Sequence, residues 1–243
     1  MALYDARLLA ACDDYEAGIR PAAEGDTPEQ AAAKAIPLPE GVRSSTDREA
    51  ADAIRLLLFT GARLQEVLKA EWPQFNLGAG IWEKPSAHTK TKRQHRLELE
   101  GPALDLLQAM GERKSHALYL FPGSPQLRRK NAPVDIKTGE PQDIAPRSDL
   151  KRPWAAISAM AGLEGVKLHD LRRTTASFML SGGSSLATVG KALGHTQAST
   201  TQRYATLAPS VQRSGLGDAG RRMVASKERK PAASIMAFPG RGE

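Results

Sequence analysis

The sequence predicts a mainly helical α+β domain with a small antiparallel β-sheet. Three observations carry that prediction. Apolar residues recur at helical spacing over most of the chain, and several such runs stop at glycine. Between about residues 80 and 99 the period changes to that of strands, on either side of a polar, basic turn. The 243 residues are 41% hydrophobic and 25% charged, ordinary values for a globular chain long enough to bury a real core.

Each element follows in turn. Leu8, Leu9 and Cys12 lie on one face of a short amphipathic helix spanning Leu3 to Tyr15. Residues 18–46, rich in Ala, Pro, Gly and charge, read as a linker that holds a short helix at 28–35. Thr46 followed by Glu49 resembles a capping box that opens a helix through Ile54, Leu57, Leu58 and Phe59. Thr60-Gly61 interrupts that pattern, and a second helix over 62–70 turns Leu64, Val67 and Leu68 inward. Ile81–Lys84 and His95–Leu99 pair as a hairpin around the turn from Ser86 to Arg93. Pro102 starts the next helix. Five prolines make 122–149 a long loop or an inserted hairpin. Helices resume at 151–161, 169–181, 185–193 and 198–206, with Gly182-Gly183 and Gly194 as stops. After Ala225 the chain is basic, then rich in Ala, Pro and Gly, and reads as a flexible tail. The organisation is therefore an N-terminal helix and linker (1–46), a main domain (47–224) and a basic tail (225–243).

Composition narrows the function classes. No stretch approaches the 18 or so uncharged apolar residues of a membrane span. The first 20 residues carry five charged side chains from Asp5 to Glu16, unlike a secretory signal. The single cysteine, Cys12, has no internal partner, and together these features point to the cytoplasm. The five histidines have no zinc-site spacing, and no cofactor is expected. Gly183…Gly190-Lys191 does not have phosphate-loop spacing. The net charge of +7 is uneven: residues 1–53 hold eleven acids and five bases, so the remainder carries +13. A body so charged fits a polyanion such as nucleic acid, or a solubilising surface.

Four short motifs carry candidate chemistry. They are Thr60-Gly61-Ala62-Arg63-Leu64-Gln65-Glu66, a basic turn with Lys90 and Lys92, His169-Asp170-Leu171-Arg172, and Leu193-Gly194-His195 with Tyr204 nine residues beyond the histidine. His169 and Arg172 share a helix face. Two guanidinium groups can grip a phosphodiester and stabilise added charge on phosphorus. A tyrosine can attack phosphorus, and a lysine or histidine can protonate the leaving oxygen. Singly, each residue also has a plain structural reading. Arg63 pairs with Glu66, His169 and His195 sit at helix ends, Tyr204 is a buried aromatic, and Lys90 and Lys92 form a solvated turn.

Taken in order, TGARLQE, TKTKRQHRLEL, LHDLRRT and LGHTQASTTQRY resemble the catalytic domain of the tyrosine recombinases, the phage-integrase family, from about Leu8 to about Val224. The resemblance implies that family's helical catalytic fold and site-specific DNA strand exchange through a 3′-phosphotyrosine, without metal or ATP. It implies that Arg63 and Arg172 contact the scissile phosphate, His169 aids proton transfer, His195 hydrogen-bonds the phosphate and Tyr204 is the nucleophile. The family's hairpin lysine, a general acid, falls at Lys90, with Lys92 two residues away as the alternative. Glu66 is implied to orient structure. Lys92, Arg93, Arg128, Arg129, Lys130 and Arg173 are candidates for DNA-backbone contacts. Implied partners are double-stranded DNA and, on two duplexes, a tetramer of chains that are monomers without DNA, with residues 208–243 docking on a neighbour.

The sequence departs from the family pattern in places. Arg173 stands where a histidine is frequent, Glu98 where proline is frequent, and 122–149 exceeds the usual connection. Only some 45 residues, acidic in balance, precede the core, where the family carries a separate DNA-clamping domain. The chain reads either as a catalytic-domain-only protein or as a piece of a longer one; in both cases weakened DNA affinity is the expectation, because affinity follows the number of phosphate contacts. Related alternatives are a type IB topoisomerase-like relaxing enzyme and a DNA-binding relative without catalysis.

Overall fold

The computed structural model describes residues 2–23, 25–37, 44–85, 94–114, 116–123, 145–195 and 201–202. Within them the chain is mainly helical, with one three-stranded antiparallel sheet. The helices are α1 (Ala2–Glu16), α2 (Pro28–Lys34), α3 (Ser45–Thr60), α4 (Leu64–Leu68), α5 (Pro102–Glu112), α6 (Lys151–Met160), α7 (Leu168–Ser181) and α8 (Leu186–Leu193). The strands are β1 (Phe75–Asn76), β2 (Ile81–Lys84) and β3 (His95–Glu98). Among the described residues no helix is long and apolar enough to cross a membrane.

α3 is the central element, packed against α1, α4, α5, α6 and α7. Its sequence explains why. Ala50, Ala51, Ala53, Ile54, Leu56 and Leu57 are all buried, so apolar surface runs round most of the helix rather than along one stripe. α1, packed against α3, adds Leu8, Ala11, Cys12 and Tyr15 to the same core. Burial pushes the Cys12 thiol up to about 12, so this cysteine is a packing group rather than a nucleophile.

Charge also ties α1 to α3. Arg55 meets Glu16 at 2.9 Å, Asp13 at 2.5 Å and Asp52 at 2.9 Å. The buried Asp52 carboxylate also pairs with Arg113 of α5. Several of the acids that make the N-terminal segment negative are thus matched internally.

Most helix boundaries follow the sequence. Thr27 and Gln30 close a capping box on α2. The box expected at Thr46 and Glu49 does not form. α3 starts after Ser44, and Glu49 instead lies 3.7 Å from Arg147. The two-residue strand β1 was not anticipated; it follows Pro73 and is too short to show a period.

The sheet order is β1-β2-β3, with Trp82 opposite both Phe75 and Leu97, and Lys84 opposite His95. Phe75 stacks on Trp82 with ring centroids 5.0 Å apart. Alternation along β2 buries Trp82 and Lys84 and exposes Glu83. The segment expected as a long loop is drawn together at its base. Gly123 N–H donates to the Ala145 carbonyl at 2.8 Å, and Arg147 N–H to the Phe121 carbonyl at 2.8 Å. Residues 124–144 themselves lie outside the described part.

Candidate active site

The site is built where three helix ends converge on one buried arginine. α3 ends at Thr60, whose hydroxyl donates back to the Leu56 carbonyl. Gly61 follows in the left-handed region, φ 60°, and turns the chain into α4 with Arg63 at its N-cap. Only glycine fits here without strain, and a Cβ would also sit 2.6 Å from Leu193 Cδ2. At the far side, α8 stops at Gly194, φ 68°, which sets His195 just beyond the helix.

Arg172, from α7, joins the two corners. It is 4% exposed. One guanidinium nitrogen donates to the Gly61 carbonyl at 2.7 Å and the other to the Leu193 carbonyl at 2.6 Å. One fork thus fixes the turn that presents Arg63 relative to the turn that presents His195. Thr175, one turn along α7, donates to the Leu58 carbonyl at 2.6 Å and reinforces the α3–α7 seam.

Arg63 is held from behind. Its guanidinium meets Glu66 Oε1 at 2.7 Å, and its backbone N–H donates to Glu66 Oε2 at 3.3 Å. The Arg63 side chain is 29% exposed, whereas that of Glu66 is 3% exposed. On the inner side, Lys84 Nζ meets Glu66 Oε2 at 3.0 Å, with its own side chain 2% exposed. The Lys84 ammonium also lies 4.3 Å from the centroid of the Trp82 ring. Burial alone raises the Glu66 carboxyl, but the facing Lys84 and Arg63 cations outweigh it and hold the group below the usual range. Burial is the main force lowering the Lys84 ammonium from the lysine range, and Glu66 opposes it.

That depression makes a pH prediction. A carboxyl held low in the folded state stabilises it fully above the unfolded value, near 4.5, and loses that contribution as pH falls through the folded value. Glu66→Gln is therefore expected to be strongly destabilised near neutrality. Its deficit against the parent should shrink below about pH 4.5 in denaturant titrations run at several pH values.

His195 is half-buried, with Nδ1 2.9 Å from the Thr201 hydroxyl and its backbone N–H donating to the Gly190 carbonyl at 2.9 Å. His169 stands exposed in the first turn of α7, one turn before Arg172. Arg173 points outward, 59% exposed and 3.6 Å from Asp170. The described residues therefore bring Arg63, Arg172 and His195 into one hydrogen-bonded frame, with His169 on the same helix as Arg172. Lys90, Lys92, Arg93, Arg128, Arg129, Lys130 and Tyr204 lie outside the described residues.

Two members of the frame were missed by sequence reasoning. Lys84 was detectable, because period-two alternation from Trp82 puts it on the buried face. His95 had no such signal. Its Nε2 donates to the Lys191 carbonyl at 2.9 Å, clasping β3 to the end of α8. Among the described residues, no cluster of three or more His, Cys, Asp and Glu is placed to hold a metal ion.

The model of the phage integrase family matches residues 32–210, well over half of the sequence. The chain belongs to the phage integrase family. As a family member it is 25% identical over 158 residues to the integrase of Salmonella phage P22, a match covering 65% of this chain and 39% of that protein. It is 34% identical over 93 residues to the tyrosine recombinase XerC of Natranaerobius thermophilus, covering 35% of this chain and 30% of that one. The matches thus span less than two-fifths of the length of either relative. Among solved structures, the catalytic domain of bacteriophage HP1 integrase aligns with a TM-score of 0.50 at 20% identity, over 88% of this chain and 90% of that one. The XerH site-specific recombinase in its pre-cleavage complex with difH aligns at 0.53 and 20%, over 84% and 48%. These likenesses establish that this integrase-family chain has the tyrosine-recombinase catalytic fold.

Proposed function

We propose that this chain cleaves and rejoins double-stranded DNA at specific sites, as the catalytic part of a recombinase. The observation that carries the proposal is the Arg172 fork, which holds the Arg63 turn and the His195 turn in one frame. A scissile phosphate lies between the groups so presented. Arg63 and Arg172 bind its non-bridging oxygens and stabilise the charge that builds as phosphorus becomes five-coordinate. His195 donates a further hydrogen bond, and His169 assists proton movement.

In the reaction, the Tyr204 oxygen attacks phosphorus and loses its proton to His169. The bond from phosphorus to the 5′ oxygen breaks, and Lys90 protonates that leaving oxygen. The products are a 3′-phosphotyrosine and a free 5′-hydroxyl. Attack by a 5′-hydroxyl from a second duplex reverses these steps and releases the tyrosine. One phosphoester replaces another at each stage, so no ATP is required, and Arg63 and Arg172 supply the cationic stabilisation in place of a metal. The XerH structures, bound to difH before and after cleavage, support this class of reaction for the fold. In this proposal residues 47–224 are the catalytic unit, preceded by the helix and linker of 1–46 and followed by a basic tail over 225–243. Lys92, Arg93, Arg128, Arg129, Lys130 and Arg173 serve the DNA backbone, and four protomers act on two duplexes.

Covalent trapping tests it. The protein is incubated at low salt with DNA from its own source, denatured, and probed for a protease-sensitive protein–DNA adduct. An adduct is expected from the parent and none from Tyr204→Phe. An adduct that survives Tyr204→Phe, or no adduct even on nicked DNA, overturns the proposal.

A further inference from the structure

Behind Arg63 lies a buried charge arrangement that sequence motifs do not account for. The Glu66 carboxylate is shared by two cations, Arg63 on its outer side at 2.7 Å and Lys84 on its inner side at 3.0 Å. Lys84 is buried at the end of β2 and cannot reach a DNA strand from there. Its ion-pair partner is Glu66, and through that carboxylate it can act on Arg63.

The electrostatics give that role. A guanidinium paired one-to-one with a carboxylate forms a neutral unit, and a neutral unit has little pull on a phosphate. The second cation changes the sum: one carboxylate and two cations carry a net charge of +1. Only Arg63 of the three has appreciable exposure, at 29% against 3% and 2%, so the surplus charge is presented there. Lys84 also occupies Glu66 Oε2, which leaves Oε1 to fix the guanidinium. Without Lys84, Arg63 would be the sole cation drawn onto a buried carboxylate, inward and away from a ligand.

We propose that Lys84 is a positioning residue which, by offsetting Glu66 from inside the fold, leaves Arg63 able to bind a phosphate as a net cation. This rests on Arg63 being a phosphate ligand, and the test separates the two ideas. The probe is a 30-base-pair duplex of arbitrary sequence, and the readout is the slope of log K against log salt. Loss of one phosphate contact reduces that slope by about 0.9. Arg63→Ala is expected to show this reduction. Lys84→Gln keeps a hydrogen-bonding group beside Glu66 but removes the charge, and is expected to show the same reduction while remaining folded by circular dichroism. Lys84→Met/Glu66→Gln removes both buried charges together, leaves Arg63 its own, and is expected to keep the parental slope.

A folded Lys84→Gln with the parental slope overturns the proposal, because a packing or hydrogen-bonding role would behave that way. So does a double variant whose slope falls as far as that of Arg63→Ala, and this arm decides if Lys84→Gln does not fold. An unchanged slope in Arg63→Ala removes Arg63 as a phosphate ligand and the inference with it.

Discussion

Arg172→Ala is expected to lose stability and DNA cleavage together. The side chain is buried, and its two donated hydrogen bonds at 2.7 and 2.6 Å end on backbone carbonyls of different corners. Hydrogen bonds from charged groups contribute roughly 1.5–3 kcal/mol each, and truncation leaves both carbonyls short of a partner. A loss of about 3–6 kcal/mol follows, at the top of the range for single substitutions. Cleavage should fall by at least the roughly 10²–10³ typical of losing one donor to a developing negative charge. Arg172→Lys should recover part of the stability and little of the rate, because an ammonium cannot span two carbonyls in fork geometry. Urea unfolding and single-turnover adduct formation separate the two effects. Parental stability in Arg172→Ala would refute the bridging role.

Gly61→Ala is expected to cost about 2–5 kcal/mol. The left-handed conformation penalises any Cβ by about 1–2 kcal/mol. The added carbon also meets Leu193 Cδ2 at 2.6 Å and Thr175 Cβ at 3.2 Å, and overpacking of this kind adds about 1–3 kcal/mol. The carbonyl held by Arg172 belongs to this same residue, so the damage reaches the site. Adduct formation should fall by more than the folded fraction falls, as seen by measuring both at one temperature. A Gly61→Ala protein with parental melting and cleavage would show that the corner tolerates a side chain.

Much of this was legible in the sequence, for identifiable reasons. Gly61 and Gly194 mark helix stops because their backbone conformations need glycine, and both stops are found. The strands at 81–84 and 95–98 announce themselves by the change of period. Arg63, Arg172 and His195 were named from motif order, and the frame that joins them was not. Its contacts run from side chain to backbone carbonyl across separations of 111 and 21 residues, and carbonyls have no sequence signature. The capping box at Thr46 failed because α3 begins earlier, with Ser44 at its N-cap, which places Thr46 inside the helix. Lys84 was passed over because a lysine in a strand is ordinarily read as solvated.

The narrow neck where Gly123 meets Ala145 has a consequence for grafting. Chain leaving the core at 123 and returning at 145 starts and finishes at hydrogen-bonded neighbours. The cost of closing a flexible loop rises by only about 0.6 kcal/mol for each doubling of its length. Added length at this point therefore costs little in closure entropy. A foreign peptide grafted between 123 and 145 would begin and end at joined points of the core.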